Sequence, residues 1–310
     1  MFRLLLIFGA SLVAWTSAYN CGELRCAHCP NPFIDVNCKN FCNENCDGAA
    51  KAEGEAKIAS QRDQVPNDAN TELPTERHTV VTEVLSYQVD DVTLSGFMAH
   101  PSGNGGKRPC VLICHAFFGR TEFENGVAER LAELGYAAFA MDVYGKVGKD
   151  RTEARALMTE VLEDRNGALM HRLAAGLRTA AAHPAVDENK MVVIGYCFGG
   201  LCALDMGRHG MNVKGVMTFH GNLKPKDPPS AFNKDTRVLV MHGFDDSSIT
   251  MEHVSNLYKE LEEAQVNWQV HVFGGAAHGF THIGGRNFDQ LSADRSWVSL
   301  QNFLTEVIGQ

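Results

Sequence analysis

A cysteine, a pair of aspartates and a histidine carry the chemistry this sequence can offer. Cys197 stands in Gly195-Tyr196-Cys197-Phe198-Gly199-Gly200, after the apolar run Met191 to Ile194 and ahead of helical sequence from about Leu201. A Gly-x-nucleophile-x-Gly turn between a buried strand and a helix is a nucleophile elbow, here with cysteine where serine is usual. The glycines have a steric reason: the turn is sharp, and side chains beside the nucleophile would strike the strand and the helix. At a helix N-terminus, free amides and the helix dipole favour negative charge. Asp245 and Asp246 follow the apolar run Thr236 to Met241, and His278 lies on a small-residue loop after Asn267 to Phe273. A thiol, an imidazole that takes its proton and a carboxylate that orients the imidazole are the parts of nucleophilic acyl transfer. The plainer reading of Cys197 is a buried structural thiol in a tight turn. The order nucleophile, acid, histidine, each after a strand, favours chemistry.

These residues need a scaffold. Val80 to Val89 and Thr93 to Ala99 read as strands around Asp90-Asp91. Pro109 to Cys114 is a continuous apolar run, expected of a central strand buried on both faces, with Cys110 and Cys114 as inert core thiols. The loop His115-Ala116-Phe117-Phe118-Gly119 follows it. In such a fold the amide of Phe117 would join that of Phe198 to form an oxyanion hole, each worth roughly 3 kcal/mol in the transition state. Further strands are expected over Tyr136 to Met141, Val213 to Phe219, Thr236 to Met241 and Asn267 to Phe273. Helices are expected over Glu122 to Leu134, Thr152 to Leu162, Ala168 to Ala182, Met251 to Ala264 and Phe288 to Ile308, with Asp187 to Lys190 turning into the Cys197 strand. Such alternation over residues 79–310 predicts an α/β architecture with a mostly parallel central sheet and helices on both faces, and the order nucleophile, acid, histidine along it is that of the α/β-hydrolase fold.

The start of the chain is of another kind. Met1-Phe2-Arg3, the apolar run Leu4 to Trp15 and Thr16-Ser17-Ala18 are the three parts of a secretory signal peptide over residues 1–18. An uncleaved anchor is the alternative, but the run is short of the roughly 20 residues of a span. No later stretch is apolar enough to span a bilayer, and the expected destination is extracellular or a secretory-route organelle. Of ten cysteines, six (Cys21, Cys26, Cys29, Cys38, Cys42, Cys46) crowd into residues 19–48. In an oxidising compartment they predict a small disulfide-stapled module, in fifteen conceivable pairings. Zinc is the competing explanation, through Cys26-Ala27-His28-Cys29. Residues 49–78 read as a polar linker. The net charge of −9 leaves no basic footprint for nucleic acid.

Taken together, the motifs resemble the dienelactone hydrolase family over about Thr79 to Gln310. The resemblance rests on Gly195-Tyr196-Cys197-Phe198-Gly199-Gly200, His115-x-Phe117-Phe118-Gly119, Asp142-Val143-Tyr144, Gly243-x-x-Asp246-x-x-Ile249 and Ala277-His278-Gly279-Phe280. It implies a Cys197, His278, Asp246 triad, with Asp246 rather than Asp245 as the acid, attacking a small-molecule ester or lactone. There are departures. Members that cleave dienelactone carry glutamate where this chain has Ala116. They hold the substrate carboxylate with arginines that would align near Lys146 and with His282. Lys146 keeps a charge without the bidentate fork, His282 is mostly neutral at pH 7, and Arg286 is a nearby substitute.

Tyr144, Lys146, His220 and His282 are therefore expected around the substrate, although Tyr144 and His220 also suit plain packing. Phe117, Phe118 and Phe123 suit an acyl pocket or a core. Cys202, five residues past Cys197, makes no Cys-x-x-Cys pair, which disfavours thiol redox chemistry. The body offers no metal-ligand set and no dinucleotide signature, so neither metal nor cofactor is expected. The sequence does not set an oligomeric state. The competing function is a non-catalytic secreted binding protein built on the same fold, with the Cys-rich module meeting a partner.

Overall fold

Cys110 to Cys114, all but the first residue of the apolar run read from the sequence, lie buried at the centre of an eight-stranded sheet in the computed structural model, which describes residues 78–103, 105–225 and 231–309. The expected signal peptide, the Cys-rich module and all but the last residue of the linker lie outside the described residues. In chain order the elements are β1 (Val80–Val89), β2 (Val92–Pro101), β3 (Arg108–Cys114), α1 (Glu122–Glu133), β4 (Ala137–Met141), α2 (Arg151–Glu163), α3 (Ala168–Ala181), β5 (Val186–Tyr196), α4 (Phe198–Arg208), β6 (Gly215–Phe219), β7 (Arg237–Gly243), α5 (Met251–Glu263), β8 (Asn267–Phe273) and α6 (Gln290–Ile308).

Across the sheet the order is β1-β2-β4-β3-β5-β6-β7-β8. β2 pairs antiparallel with both neighbours, and β3 to β8 are mutually parallel. The order reverses at β3, which has β4 on one side and β5 on the other. Ligands of open α/β sheets bind beyond the strand C-termini at such a switch point. The loops after β3 and β5 are those that carry Phe117 and Cys197.

Each face of the sheet has its own core. Leu112, Phe139, Met141 and Leu173 belong to one, and Val111, Ile113, Ile194, Met217 and Leu304 to the other. Successive residues of Cys110 to Cys114 in β3 and of Met191 to Ile194 in β5 thus point into different apolar layers, which is why these stretches read as unbroken apolar runs. Each fully buried aliphatic or aromatic side chain contributes about 1.5–3 kcal/mol. One local expectation fails. Asp187 to Lys190 is strand, not turn, because Val186 already pairs with Arg108 across a register shift that readmits the polar residues to the ladder.

Candidate active site

Cys197 caps α4 with φ 55° and ψ −112°, a left-handed conformation that a non-glycine residue holds only when its surroundings impose it. The surroundings are backbone. A Cβ on Gly195 would sit 1.9 Å from the Gly199 carbonyl oxygen, and one on Gly199 would sit 2.1 Å from that of Cys114. Gly200 packs as closely, on Thr218 and Gly221. The Cys197 amide donates to Phe219 O at 3.1 Å, and its carbonyl accepts from Asn222 N at 3.0 Å. The elbow is thereby fixed between β5, β6 and the start of α4.

Three side chains meet there in series. His278 Nε2 lies 3.1 Å from Cys197 Sγ, and His278 Nδ1 donates to Asp246 Oδ2 at 2.7 Å. Asp246 Oδ1 accepts from the amides of Ser248 and Ile249, both at 2.9 Å. Asp245, its neighbour, is exposed. Burial opposes charge on His278, but the Asp246 carboxylate and the Cys197 sulfur outweigh it and raise its pKa to about 10. Burial also acts against the Asp246 anion, and the His278 and backbone donors still pull its pKa below the usual carboxylate value. Such a chain can take a proton off sulfur and hold it on the imidazole.

The loop after β3 is held from two sides. His115 Nδ1 donates to Ala116 O at 2.7 Å, while its Nε2 accepts from Val143 N at 3.3 Å. Glu124, buried in the first turn of α1, accepts from Ala116 N at 2.9 Å and from Thr121 N at 2.8 Å. Phe198 is the first residue of α4, so its amide has no acceptor within the helix. Among the described residues no backbone carbonyl accepts from Phe117 N either.

A cavity of about 490 Å³ opens over Cys197. Phe117, Phe118, Phe123 and Tyr196 supply aromatic wall, and Arg151, His282 and Arg286 supply the basic groups. No carboxylate lines it. Of the expected pocket residues, His220 and His282 are there and Tyr144 and Lys146 are not. Lys146 points to Glu153 instead, in an exposed ion pair at 2.8 Å. The Tyr144 ring packs edge-on against His115 and tilted against Phe198, behind the loop that follows β3. His220 places Nε2 2.8 Å from Thr281 Oγ and meets the His278 ring edge-on at 5.3 Å. Burial, then the neighbouring His278, lower its pKa to about 3, so it is neutral.

Residues 94–308 match the dienelactone hydrolase family. The chain belongs to that family. A crystal structure of a dienelactone hydrolase-like promiscuous phosphotriesterase from metagenomic libraries superposes with a TM-score of 0.70 at 30% identity, covering 74% of this chain and 99% of that one. An uncharacterised Caenorhabditis elegans protein is 32% identical over 152 residues, 46% of this chain and 96% of its own. A Yersinia pestis protein provisionally named carboxymethylenebutenolidase is 26% identical over 226 residues, 69% of this chain and 84% of its own. As a dienelactone hydrolase family member the protein is a hydrolase, and its fold is the α/β-hydrolase fold.

Two of the family member's site residues escaped the sequence reading. Glu124 had a signal, since Thr121-x-x-Glu124 is a capping-box spacing, and the box is formed. Arg151 had none. It reaches the cavity from the first turn of α2, and only the packing of that helix beside Phe117 brings it there.

Proposed function

We propose that this hydrolase cleaves an activated carboxylic ester or lactone through a thioacyl-enzyme on Cys197. The observation that carries the reading is the unbroken contact chain from Cys197 Sγ through His278 to Asp246, at 3.1 and 2.7 Å. His278 Nε2 takes and holds the thiol proton before sulfur bonds to the acyl carbon and the carbonyl oxygen takes the electron pair. The amides of Phe117 and Phe198 hold that oxyanion. Collapse breaks the carbon–oxygen bond of the leaving group, which takes the proton from His278. Water then attacks the thioester, gives a proton to His278 and releases the acid, and the thiol recovers its proton.

Sulfur is itself a good leaving group, so the first intermediate goes forward most readily when the ester's own leaving group is activated. Enol and aryl esters meet that condition and simple alkyl esters do not. Arg151 and Arg286 in a cavity without carboxylates favour a substrate that carries an anionic group. The leader-like residues 1–18 support a place on the secretory route. There, partial burial of Cys197 beneath the cavity would slow its oxidation.

The deciding experiment is Cys197→Ala on p-nitrophenyl acetate. Turnover is expected to vanish, together with the iodoacetamide-reactive thiol that goes with it. Undiminished turnover would end the proposal.

A further inference from the structure

Far from this site, three potential ligands meet at the opposite end of the sheet. Glu83 on β1 pairs with Met98 on β2, and Val81 pairs with His100, so Glu83 and His100 are diagonal neighbours on one face. His183 follows the C-terminus of α3, which packs against β1. Two turn bonds hold it, His183 N to Ala180 O and Val186 N to His183 O. Its Nε2 lies 2.9 Å from Glu83 Oε1, and its ring centroid is 5.4 Å from that of His100. One ligand atom from each of the three lies within 4.8 Å of the others. β5 begins at Val186, just after His183, and ends beside Cys197, so about 30 Å of strand separates the two places.

We propose that Glu83, His100 and His183 bind a divalent transition-metal ion. Two imidazoles and one carboxylate are a donor set for zinc and its neighbours rather than for calcium or magnesium. Tetrahedral bonds of about 2.0–2.1 Å put ligand atoms about 3.3 Å apart. Glu83 is exposed and can close the remaining gap by changing rotamer. His100 is already set for the task. Its Nδ1 is 2.9 Å from Pro101 O, an oxygen that can only accept, so Nδ1 carries the proton and Nε2 presents its lone pair. His183 has to change. Its Nδ1 accepts from Ala185 N at 3.2 Å, so in the metal-free form Nε2 carries the proton and donates to Glu83. Binding moves that proton to Nδ1 and gives up the Ala185 bond, whose half-exposed residue leaves the amide within reach of water. The ion then joins the β1–β2 hairpin to the end of α3, with its fourth position left to water.

The test is zinc titration of the metal-stripped full chain at pH 7.5 by equilibrium dialysis with metal analysis. Wild type is expected to bind one zinc ion more than His100→Ala or His183→Ala, and Glu83→Gln to bind that ion at least ~10-fold more weakly. Any zinc held by the six N-terminal cysteines is common to all four proteins and cancels in the difference. Turnover of p-nitrophenyl acetate should persist in the variants, which shows that they fold. If the alanine variants do not fold, Glu83→Gln, an isosteric change at an exposed position, carries the comparison. Equal zinc uptake by wild type and the folded variants overturns the proposal.

Discussion

Replacing Asp246 by asparagine tests the proposed triad at its least replaceable bond. Asp246 accepts three hydrogen bonds, from His278 Nδ1 at 2.7 Å and from the Ser248 and Ile249 amides at 2.9 Å. The two amides can only donate, so an asparagine must turn its carbonyl oxygen to them and its NH2 group to His278. That group cannot accept, and the imidazole is forced to carry its proton on Nε2, facing Cys197. The base is then blocked. For a nucleophile–histidine–acid set this wrong tautomer lowers kcat about 10⁴-fold, or about 5.5 kcal/mol. The elevation of the His278 pKa from 6.5 to about 10 corresponds to roughly 5 kcal/mol of preference for the imidazolium. Asp246 shares that preference with the Cys197 sulfur, so the expected loss in kcat/KM is about 10³- to 10⁴-fold. Asp245→Asn, at an exposed neighbour, should stay within about twofold of wild type. The assay is initial-rate hydrolysis of p-nitrophenyl acetate at pH 7.5, with intact protein confirmed by its urea midpoint. Asp246→Asn retaining more than about a tenth of wild-type kcat/KM would refute the assignment. So would an equal loss in Asp245→Asn.

The raised His278 pKa has a direction in pH. As a folded-state pKa above the unfolded value, it contributes stability that is whole below about pH 6.5 and is lost as pH rises through about 10. Urea midpoints of wild type should therefore fall more between pH 6.5 and 10.5 than those of His278→Gln, and turnover should show an alkaline limb near pH 10. Gly199→Ala drives a methyl group against the Cys114 and His115 carbonyl oxygens, and neither can swing aside. A loss of about 3 kcal/mol in the urea midpoint analysis, with turnover abolished, is expected; an unchanged midpoint would contradict the packing. Arg286→Ala or Arg151→Ala should lower kcat/KM for a carboxylate-bearing aryl ester about tenfold relative to p-nitrophenyl acetate. Equal effects on both esters would remove the anionic-group argument. Glu124→Gln exchanges an acceptor for a donor opposite Thr121 N, and should cost about 1–2 kcal/mol of stability while lowering kcat more than it raises KM.

What could be read from the sequence, and what could not, follows the range of the forces involved. The elbow's signature is short, so Gly195, Gly199 and Gly200 announce it within six residues, although what Gly199 and Gly200 pack against lies on β3 and β6. Strand β3 and the Met191 to Ile194 stretch of β5 announce themselves because burial on both faces leaves no polar alternation. Asp245 and Asp246 are different. Both carboxylates follow the same strand, and only the turn that gives Asp246 the Ser248 and Ile249 amides selects one of them. The resemblance could point to Asp246; local spacing could not. Cation placement is further still from local rules. Lys146 is spent on Glu153, seven residues on, and Arg151 enters the cavity from the first turn of a helix that packs beside Phe117. Glu83 and His183 are a hundred residues apart, and nothing short-range joins them.

The histidines around the proposed triad show how the fold directs charge to one of them. His220 and His242 both lie close enough to Asp246 to be drawn toward the cationic form. Either, if protonated, would compete with His278 for the single carboxylate and would repel its positive charge. Burial prevents this. It is the largest influence on both rings and lowers both pKa values, and among the described residues neither nitrogen of His242 nor Nδ1 of His220 has a hydrogen-bond partner. His278 is only partly buried, and it alone of the three touches the carboxylate at 2.7 Å and the sulfur at 3.1 Å. Direct contact therefore decides which imidazole can hold the proton, and the neutral rings beside it keep the attraction of Asp246 undivided. By this logic Ala116, which lines the cavity without bringing a carboxylate to it, fits the same scheme. A second carboxylate there would offer the thiol another partner, and its absence leaves Cys197 facing His278 alone.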